Sequence, residues 1–539
     1  MKKIVLLLLT LTFLNSNAQD PTVGLLYHDE NVSDGYVLIS PSRNNEVFLI
    51  NPCGEKVNQW TFTETPGATC YLLANGNLLR AGKENLEIRD WENNVIWSYP
   101  TTANGIEQHH DIEPLPNGNI LCIARDMYSQ SAMTNVGRNP TITDAEFRME
   151  KIVELQPIGT NQANVVWEWK YMDHLIQDFD ATKANFGVVE DHPELLDVNF
   201  DNGATSDFIH LNGIDYNANL DQIIISARHL NEIMIIDHST TTAEAASHSG
   251  GNSNKGGDFL WRWGNPQAYR RGTEADRKLF LQHNASWVEE NYLDVGKISV
   301  FSNGEPGSSQ TYSSVHLIEP EIVNGNYTMV NNRFSPADYD WSWSGSILGV
   351  VLSQDRQSGT HSLPNGNFII CEALLGRISE ITKSGTLLWS YKNPTGIYFP
   401  ATGVTTYYNQ FSTIPPNVNT VFKADKYPPN YVGFTGKDLT PIGIIENANS
   451  LSLACSASLS SSTFSLENFT VQNPVQSNII SFNQSINADA ITIYDVNGRI
   501  VLEQDHFSGN QMEHNLSESL YIMKITSNNT TKKFKLIIQ

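Results

Sequence analysis

The sequence predicts an all-β protein, a six-bladed β-propeller followed by a small C-terminal β-sandwich. Three observations predict it. An Asn-Gly turn recurs between short apolar runs, in "LLANGNLLRAG" (72–82), "PLPNGNILCIARD" (114–126), "IVNGNYTMVNN" (322–332) and "SLPNGNFIICEA" (362–373). A looser copy is "DYNANLDQIIISAR" (215–228). Tryptophan-bearing segments recur in step, at Trp60, Trp97, Trp167/Trp169, Trp261/Trp263, Trp341/Trp343 and Trp389, and so mark six units. Finally, the composition turns Ser-rich after residue 447, as at a boundary between domains.

Each element follows from local chemistry. "MKKIVLLLLTLTFLNSNAQ" has two lysines, a short apolar run and small residues before Gln19, so residues 1–18 read as a secretory signal. The run is too short for a membrane span, and no transmembrane segment is expected. Residues 19–446 form the propeller. Asn-Gly tolerates positive φ and so turns a hairpin tightly. Further strands such as "NEIMIIDHS" (231–239) and "RISEITKSG" (377–385) lie between turn and tryptophan, giving several short strands per unit. "TEADRKLFLQH" (273–283) is the clearest helical candidate. Residues 447–465 are a flexible Ser-rich linker. Residues 466–539 hold two hairpins, "ITIYDVNGRIVLEQ" (491–504) and "SLYIMKITSNNTTKKFKLIIQ" (519–539), enough for a small β-sandwich.

The net charge is −24, and −26 once Lys2 and Lys3 are removed (−24 minus 2). Such a chain repels phosphate backbones, which argues against nucleic acid as a partner. None of the five cysteines forms a CxxC pair, so a structural zinc site is not expected. Cys53 and Cys70 are near enough in sequence to bridge neighbouring strands, while Cys122 and Cys371 read as buried strand thiols.

Histidines precede the inner turns. His109 and His110 stand before Asn117, His210 stands before Asn217 and His361 before Asn365; His283 lies in "LQHNASW" and His229 follows Arg228. Equivalent positions in successive blades meet at the propeller axis, so these imidazoles are expected to share a channel. Asp111, Asp207 and Asp215 are candidates to orient them through Nδ1, and Arg125 and Arg228 are candidates to hold an anion.

The motif string "HHDIEPLPNGNIL", "FIHLNGIDYN", "IISARHLNEIMIID", "FLWRWGNP", "LQHNASW" and "THSLPNGNFIICEALLGRISEI" resembles the bacterial aryl-sulfate sulfotransferase family over most of 35–445. The resemblance implies a six-bladed propeller that moves a sulfuryl group from an aryl sulfate to an acceptor phenol. It implies a sulfohistidine intermediate, no nucleotide sulfate donor and no cofactor or metal. Carried over by motif, His361 is the nucleophile, assisted by His283, His210 and an arginine. The family's arginine after "F-x-N-G" has no counterpart in "VFSNGEPGSSQ" (300–310), which leaves Arg228 and Arg333 as candidates. His109 and His110 are expected to line the site and bind substrate, with Arg333. The tail, through Asn473-Pro474, "YDVNGRIV" and "LYIMKI…KKFKLII", resembles the C-terminal sorting domain of the Bacteroidetes type IX secretion system. That implies the secretion machinery as a partner and delivery to the cell surface or the medium. Two other readings remain open: a non-catalytic surface binding propeller, and a metal-assisted propeller hydrolase or lyase.

Overall fold

The computed structural model describes residues 20–305, 312–396, 405–447, 455, 470–527 and 530–539. The expected leader and most of the Ser-rich linker lie outside them. The chain divides into two compact units, 1–452 and 453–539.

The first unit is a propeller of six antiparallel blades, named here by their strands from the axis outward. Blade I is Val421–Tyr427, Tyr36–Pro41, Glu46–Ile50 and Lys56–Thr61. Blade II is Pro66–Leu72, Leu78–Gly82, Leu86–Arg89 and Val95–Tyr99. Blade III is Gln108–Pro114, Ile120–Ser129, Glu146–Ile158 and Gln162–Lys170. Blade IV is Leu211–Asn217, Gln222–Ala227, Glu232–Asp237 and Trp261–Trp263. Blade V is His283–Trp287, Ile298–Ser302, Ser314–Ile318 and Trp341–Trp343. Blade VI is Gly359–Ser362, Phe368–Glu372, Arg377–Ile381 and Leu387–Lys392, with Gly24–His28 added outside. Blades II and III join through a single parallel pairing of Ala68 with His110.

Both ends of this unit close the ring. The C-terminal strand Val421–Tyr427 is the inner strand of blade I, and the N-terminal strand Gly24–His28 pairs with Leu387–Lys392 of blade VI. The Asn-Gly turns lie where the sequence suggests in blades II, III and VI, with Gly76, Gly118 and Gly366 at φ of 80, 86 and 80°. The middle strands Gln222–Ala227 and Glu232–Asp237 are buried at every position, because each blade packs a neighbour on both faces. Their β-branched isoleucines suit that two-sided burial.

Two expectations change. The turn in 322–332 is not an inner turn; Ile322–Val323 and Asn326–Tyr327 form an exposed hairpin inserted before the outer strand of blade V. Residues 273–283 do not form a helix beyond one 3-10 turn at Glu274–Asp276, closed by a Thr273/Asp276 capping box. Leu279 and Phe280 are then drawn into the core, which pulls the chain out of helical register.

The tryptophans have a common task. Each blade's outer strand carries an indole whose Nε1 donates to a backbone carbonyl of the next blade, at or just before that blade's outer strand. The series is Trp60 to Asp90 (2.8 Å), Trp97 to Gln162 (2.8 Å), Trp169 to Gly257 (2.7 Å), Trp261 to Ser335 (2.7 Å), Trp341 to Lys383 (3.1 Å) and Trp389 to Pro52 (2.7 Å). The last bond returns to blade I, so the six form a closed circuit.

The second unit is one connected antiparallel sheet of Ile500–Glu513, Ile479–Tyr494, Ser519–Ser527 and Thr530–Ile538, in that spatial order. Ile480, Ile491, Ile493, Met523, Ile525 and Leu536 give it a core of its own. Cys70, Cys122 and Cys371 are free buried thiols. The Cys53–Cys70 bridge therefore does not form, and Cys53 has its disulfide elsewhere.

Deleting one indole donor leaves a carbonyl to be satisfied, and the cost depends on burial. Trp169→Phe is expected to destabilise by about 1–3 kcal/mol, because its bond is buried, and Trp341→Phe by less than about 1 kcal/mol, because its bond is exposed. Urea unfolding of the two variants beside the parent measures the difference.

Candidate functional site

The inner strands contact one another in sequence around the axis, II to III to IV to V to VI to I. Where the strands of blades III and IV begin, the backbone takes the left-handed conformation at His110 (φ 60°) and His210 (φ 57°), and beside His283 at Asn284 (φ 52°). That conformation disfavours a branched Cβ substituent, so contacts from the surrounding blades must hold the two histidines there.

Here the imidazoles meet. His110 Nε2 lies 3.2 Å from His210 Nε2. The ring centroids of His109 and His110 are 4.1 Å apart, those of His109 and His210 5.1 Å, and those of His210 and His229 4.7 Å. Phe422 from the inner strand of blade I stacks on His110 at 5.4 Å and meets His283 edge-on at 6.2 Å.

Each ring is oriented from behind. Asp207 Oδ2 accepts from His210 Nδ1 at 2.8 Å, and the Asp207 carbonyl accepts from His229 Nδ1 at 2.6 Å. Arg228 Nη1 donates to His229 Nε2 at 2.7 Å, which places its guanidinium within the cluster. Burial raises the Asp207 carboxyl, but the hydrogen bond from His210, with the Arg148 guanidinium nearby, outweighs it and holds it well below the usual range. His283 donates from Nδ1 to Asn303 Oδ1 at 2.7 Å and accepts the Gln357 N–H on Nε2 at 3.1 Å.

His109 Nδ1 lies 2.7 Å from Glu150 Oε1, and Glu150 Oε2 accepts the Leu211 N–H at 2.7 Å. Glu150 thus ties blade III to the residue after His210. Burial pushes Glu150 up to about 8 and His109 down to about 3, so the pair is uncharged at neutral pH. Burial also lowers His110, His229 and His283. The cluster offers neutral imidazoles beside a permanent cation. Neutral imidazole is a nucleophile, and the guanidinium can hold an oxyanion.

The sequence-predicted residues divide. His109, His110, His210, Arg228 and His283 come together. His361 lies on the inner strand of blade VI, where its Nε2 accepts the Lys426 N–H at 3.2 Å and its Nδ1 is 3.8 Å from Asp425. Arg333 belongs to a short hairpin of the blade V insertion. It donates to Asp276 (2.6 Å) and to the Arg271 carbonyl, and lines a separate cavity of about 320 Å³ with Trp263 and Tyr269. Arg125 donates to the exposed Glu107. Asp111 and Asp215 turn away from imidazoles. Asp111 accepts from Tyr71 OH and Lys423 Nζ, and Asp215 from the Trp287 N–H.

Sequence reasoning missed Glu150, Phe422 and Lys423. Lys423 is a buried cation among Asp111, Glu113 and Asp425. Burial and nearby carboxylates push Asp215 up to about 7 and Glu113 well above its usual range. The signal for Phe422 and Lys423 lay in the alternation of "VFKADKY" (421–427), a strand after the last tryptophan unit that had to pair somewhere.

These features define a class, a six-bladed propeller with a histidine and arginine site around its axis. Residues 59–316 match the family model of arylsulfotransferase (ASST), and residues 473–539 match the secretion system C-terminal sorting domain. Residues 59–316 are thus similar to an arylsulfotransferase domain, and the tail is similar to a sorting domain, which supports export to the surface or the medium. No curated protein matches the chain. Similar solved structures include a Bacteroides caccae protein of unknown function at 13% identity, covering 67% of this chain and 94% of that one with a TM-score of 0.36. A streptogramin B lyase matches at 11% identity, covering 70% and 89%, with a TM-score of 0.32. Among the described residues no helix is long and apolar enough to cross a membrane.

Glu150 is more basic in the folded chain than its ordinary value of 4.5, so the folded state binds the extra proton. Its contribution to stability is full below pH 4.5 and is lost as pH rises through about 8. Glu150→Gln keeps an acceptor for the Leu211 N–H and removes the titration. Its urea midpoint is expected to fall less than the parent's between those limits.

Proposed function

We propose that the protein is an exported arylsulfotransferase that moves a sulfuryl group from an aryl sulfate to an acceptor phenol through a sulfohistidine, without a nucleotide donor. The observation that supports this most is the meeting of neutral imidazoles from blades III, IV and V with Arg228, within or beside the region that matches the family. A type IX secretion apparatus reading the C-terminal sorting domain is the proposed export partner.

The nucleophile must present a lone pair. His283 and His361 each accept a backbone N–H on Nε2. His210 has Nδ1 committed to Asp207, and its Nε2 faces only the His110 ring nitrogen. We therefore assign the attack to His210 Nε2 and give His361 a positioning role on the closing strand. In the first half-reaction His210 Nε2 bonds to sulfur as the S–O(aryl) bond breaks, and the phenol leaves as its phenolate, which takes a proton from solvent. In the second, His110 takes the proton of the acceptor phenol, whose oxygen bonds to sulfur as the N–S bond breaks. Neutral His110 thus serves as the general base of the second half-reaction and passes its proton to solvent afterwards. Sulfuryl transfer has a loose, in-line transition state like phosphoryl transfer, with charge on three equatorial oxygens, and Arg228 is the cation offered to them.

A second reading has one supporting observation. A ring nitrogen from each of His109, His110 and His210 lies within 4.8 Å of the others, a spacing that suits a divalent ion in a hydrolase or lyase.

A chromogenic aryl sulfate with a phenol acceptor tests the proposal. Release of the chromophore is expected, with the mass gain of one sulfuryl group on a peptide containing His210 when acceptor is withheld. Arg228→Ala is expected to lower kcat by about 10²–10³-fold. Labelling on His361 or His283 instead would move the nucleophile, no release with any acceptor would sink the transfer reading, and loss of activity to a chelator would favour the metal reading.

A further inference from the structure

Outside the channel, a second histidine cluster joins blade III to blade IV. His174 follows the outer strand of blade III, and His248 and Asp258 flank the glycine-rich stretch between the third and fourth strands of blade IV. Asp258 Oδ1 lies 2.8 Å from His174 Nδ1 and 2.8 Å from His248 Nδ1. One donor atom from each of the three residues lies within 4.8 Å of the other two.

The partners of His174 call for a positive centre between the ring and Asp258. The ring is fully buried and stacked on Trp169 at 5.5 Å and 8°. Its Nε2 is 2.8 Å from the Ala245 carbonyl oxygen. A carbonyl only accepts, so the single proton of a neutral ring belongs on Nε2. Nδ1 then presents a lone pair to a carboxylate oxygen at 2.8 Å, an arrangement of two acceptors that repels unless a second ring proton or a bound cation joins them. A histidine that ligates a metal through one nitrogen and donates from the other to a backbone carbonyl has this pattern.

The site is built rather than incidental. Trp169 stacks on His174 and also donates to the Gly257 carbonyl, next to Asp258. A Cβ at Gly257 would lie 2.1 Å from the Ala245 oxygen and 2.6 Å from His174 Nε2, so only glycine lets the backbone come this close. Asp258 is buried, whereas the His248 side chain is 61% exposed and opens the cluster to solvent. His248 lines a cavity of about 430 Å³ with Met172, Asp173, His192 and Leu195.

We propose that His174 Nδ1, His248 Nδ1 and the Asp258 carboxylate hold one zinc-class divalent ion, with its remaining position open to this cavity. Two imidazoles and a carboxylate suit a borderline ion such as Zn²⁺ better than Ca²⁺ or Mg²⁺, which prefer all-oxygen sets. Tetrahedral zinc spreads such ligands to about 3.3 Å, a shift that the exposed His248 can make. The ion clamps the 242–258 segment of blade IV to the end of blade III. The open position takes water or a small anionic ligand.

The test is metal binding by the full chain, read independently of sulfuryl transfer. After dialysis against zinc and removal of loosely bound ion, the parent is expected to retain about one equivalent more than His248→Ala. Zinc affinity by calorimetry is expected to fall about 10–100-fold in His248→Ala. His110→Ala, which alters the channel cluster, should keep this equivalent. His248 is exposed, so its variant is expected to fold, and circular dichroism checks that. Equal zinc retention and affinity in the parent and His248→Ala would overturn the proposal, leaving a protonated His174 paired with Asp258. Loss of the equivalent in His110→Ala alone would also overturn it, by placing the ion in the channel.

Discussion

The circuit of indole-to-carbonyl hydrogen bonds is the constraint on which the propeller depends. A blade is a four-stranded sheet, and strand pairing alone says nothing about how the next blade is placed. Six tryptophans, each reaching the carbonyl at the following outer strand, set that placement six times and return to the start. All but the exposed Trp341 bond satisfy a donor that would be costly to bury unpaired. Because the last runs from Trp389 to Pro52, it acts with the two terminal strands that complete blades I and VI.

Fixing the rims fixes the axis. The inner strands start at defined places, and the chain uses three of those places for histidines. Burial then governs their chemistry. It lowers His109, His110 and His283, and the neighbouring positive groups act in the same direction, so the rings stay neutral in a chain whose net charge is −24. A strongly acidic protein would otherwise be a poor host for an anion. Arg228 supplies the positive charge locally, where the long-range field of the surface carboxylates is screened within about 8 Å at physiological salt.

The same blade junction logic produces the outer histidine cluster. Trp169 is one of the six stapling indoles, and its carbonyl partner Gly257 precedes the Asp258 ligand. The staple that sets blade IV against blade III thus also delivers Asp258 to His174.

Much of the fold was legible in the sequence because propeller blades write their periodicity in short-range chemistry. Asn-Gly turns need positive φ, buried strands need branched apolar side chains, and the outer strands need an indole. The residues near these signals, His110, His210 and Arg228, were therefore locatable on inner strands or the strand after them, whereas His283 ended a segment whose local pattern reads as helical. The turn at 324–325 misled for the same reason, since a hairpin in an insertion uses the same dipeptide as a hairpin in a blade. Local pattern could not decide what depends on contacts between distant segments. Phe422 and Lys423 reach the axis only because the chain returns more than 300 residues after blade I begins. Glu150 orients His109 across 41 residues, and Asp258 meets His174 across 84. The sequence determined which residue types stand at the heads of the strands. Only the closed ring decided which of them share a site, because that follows from the rotation between blades and not from any spacing along the chain.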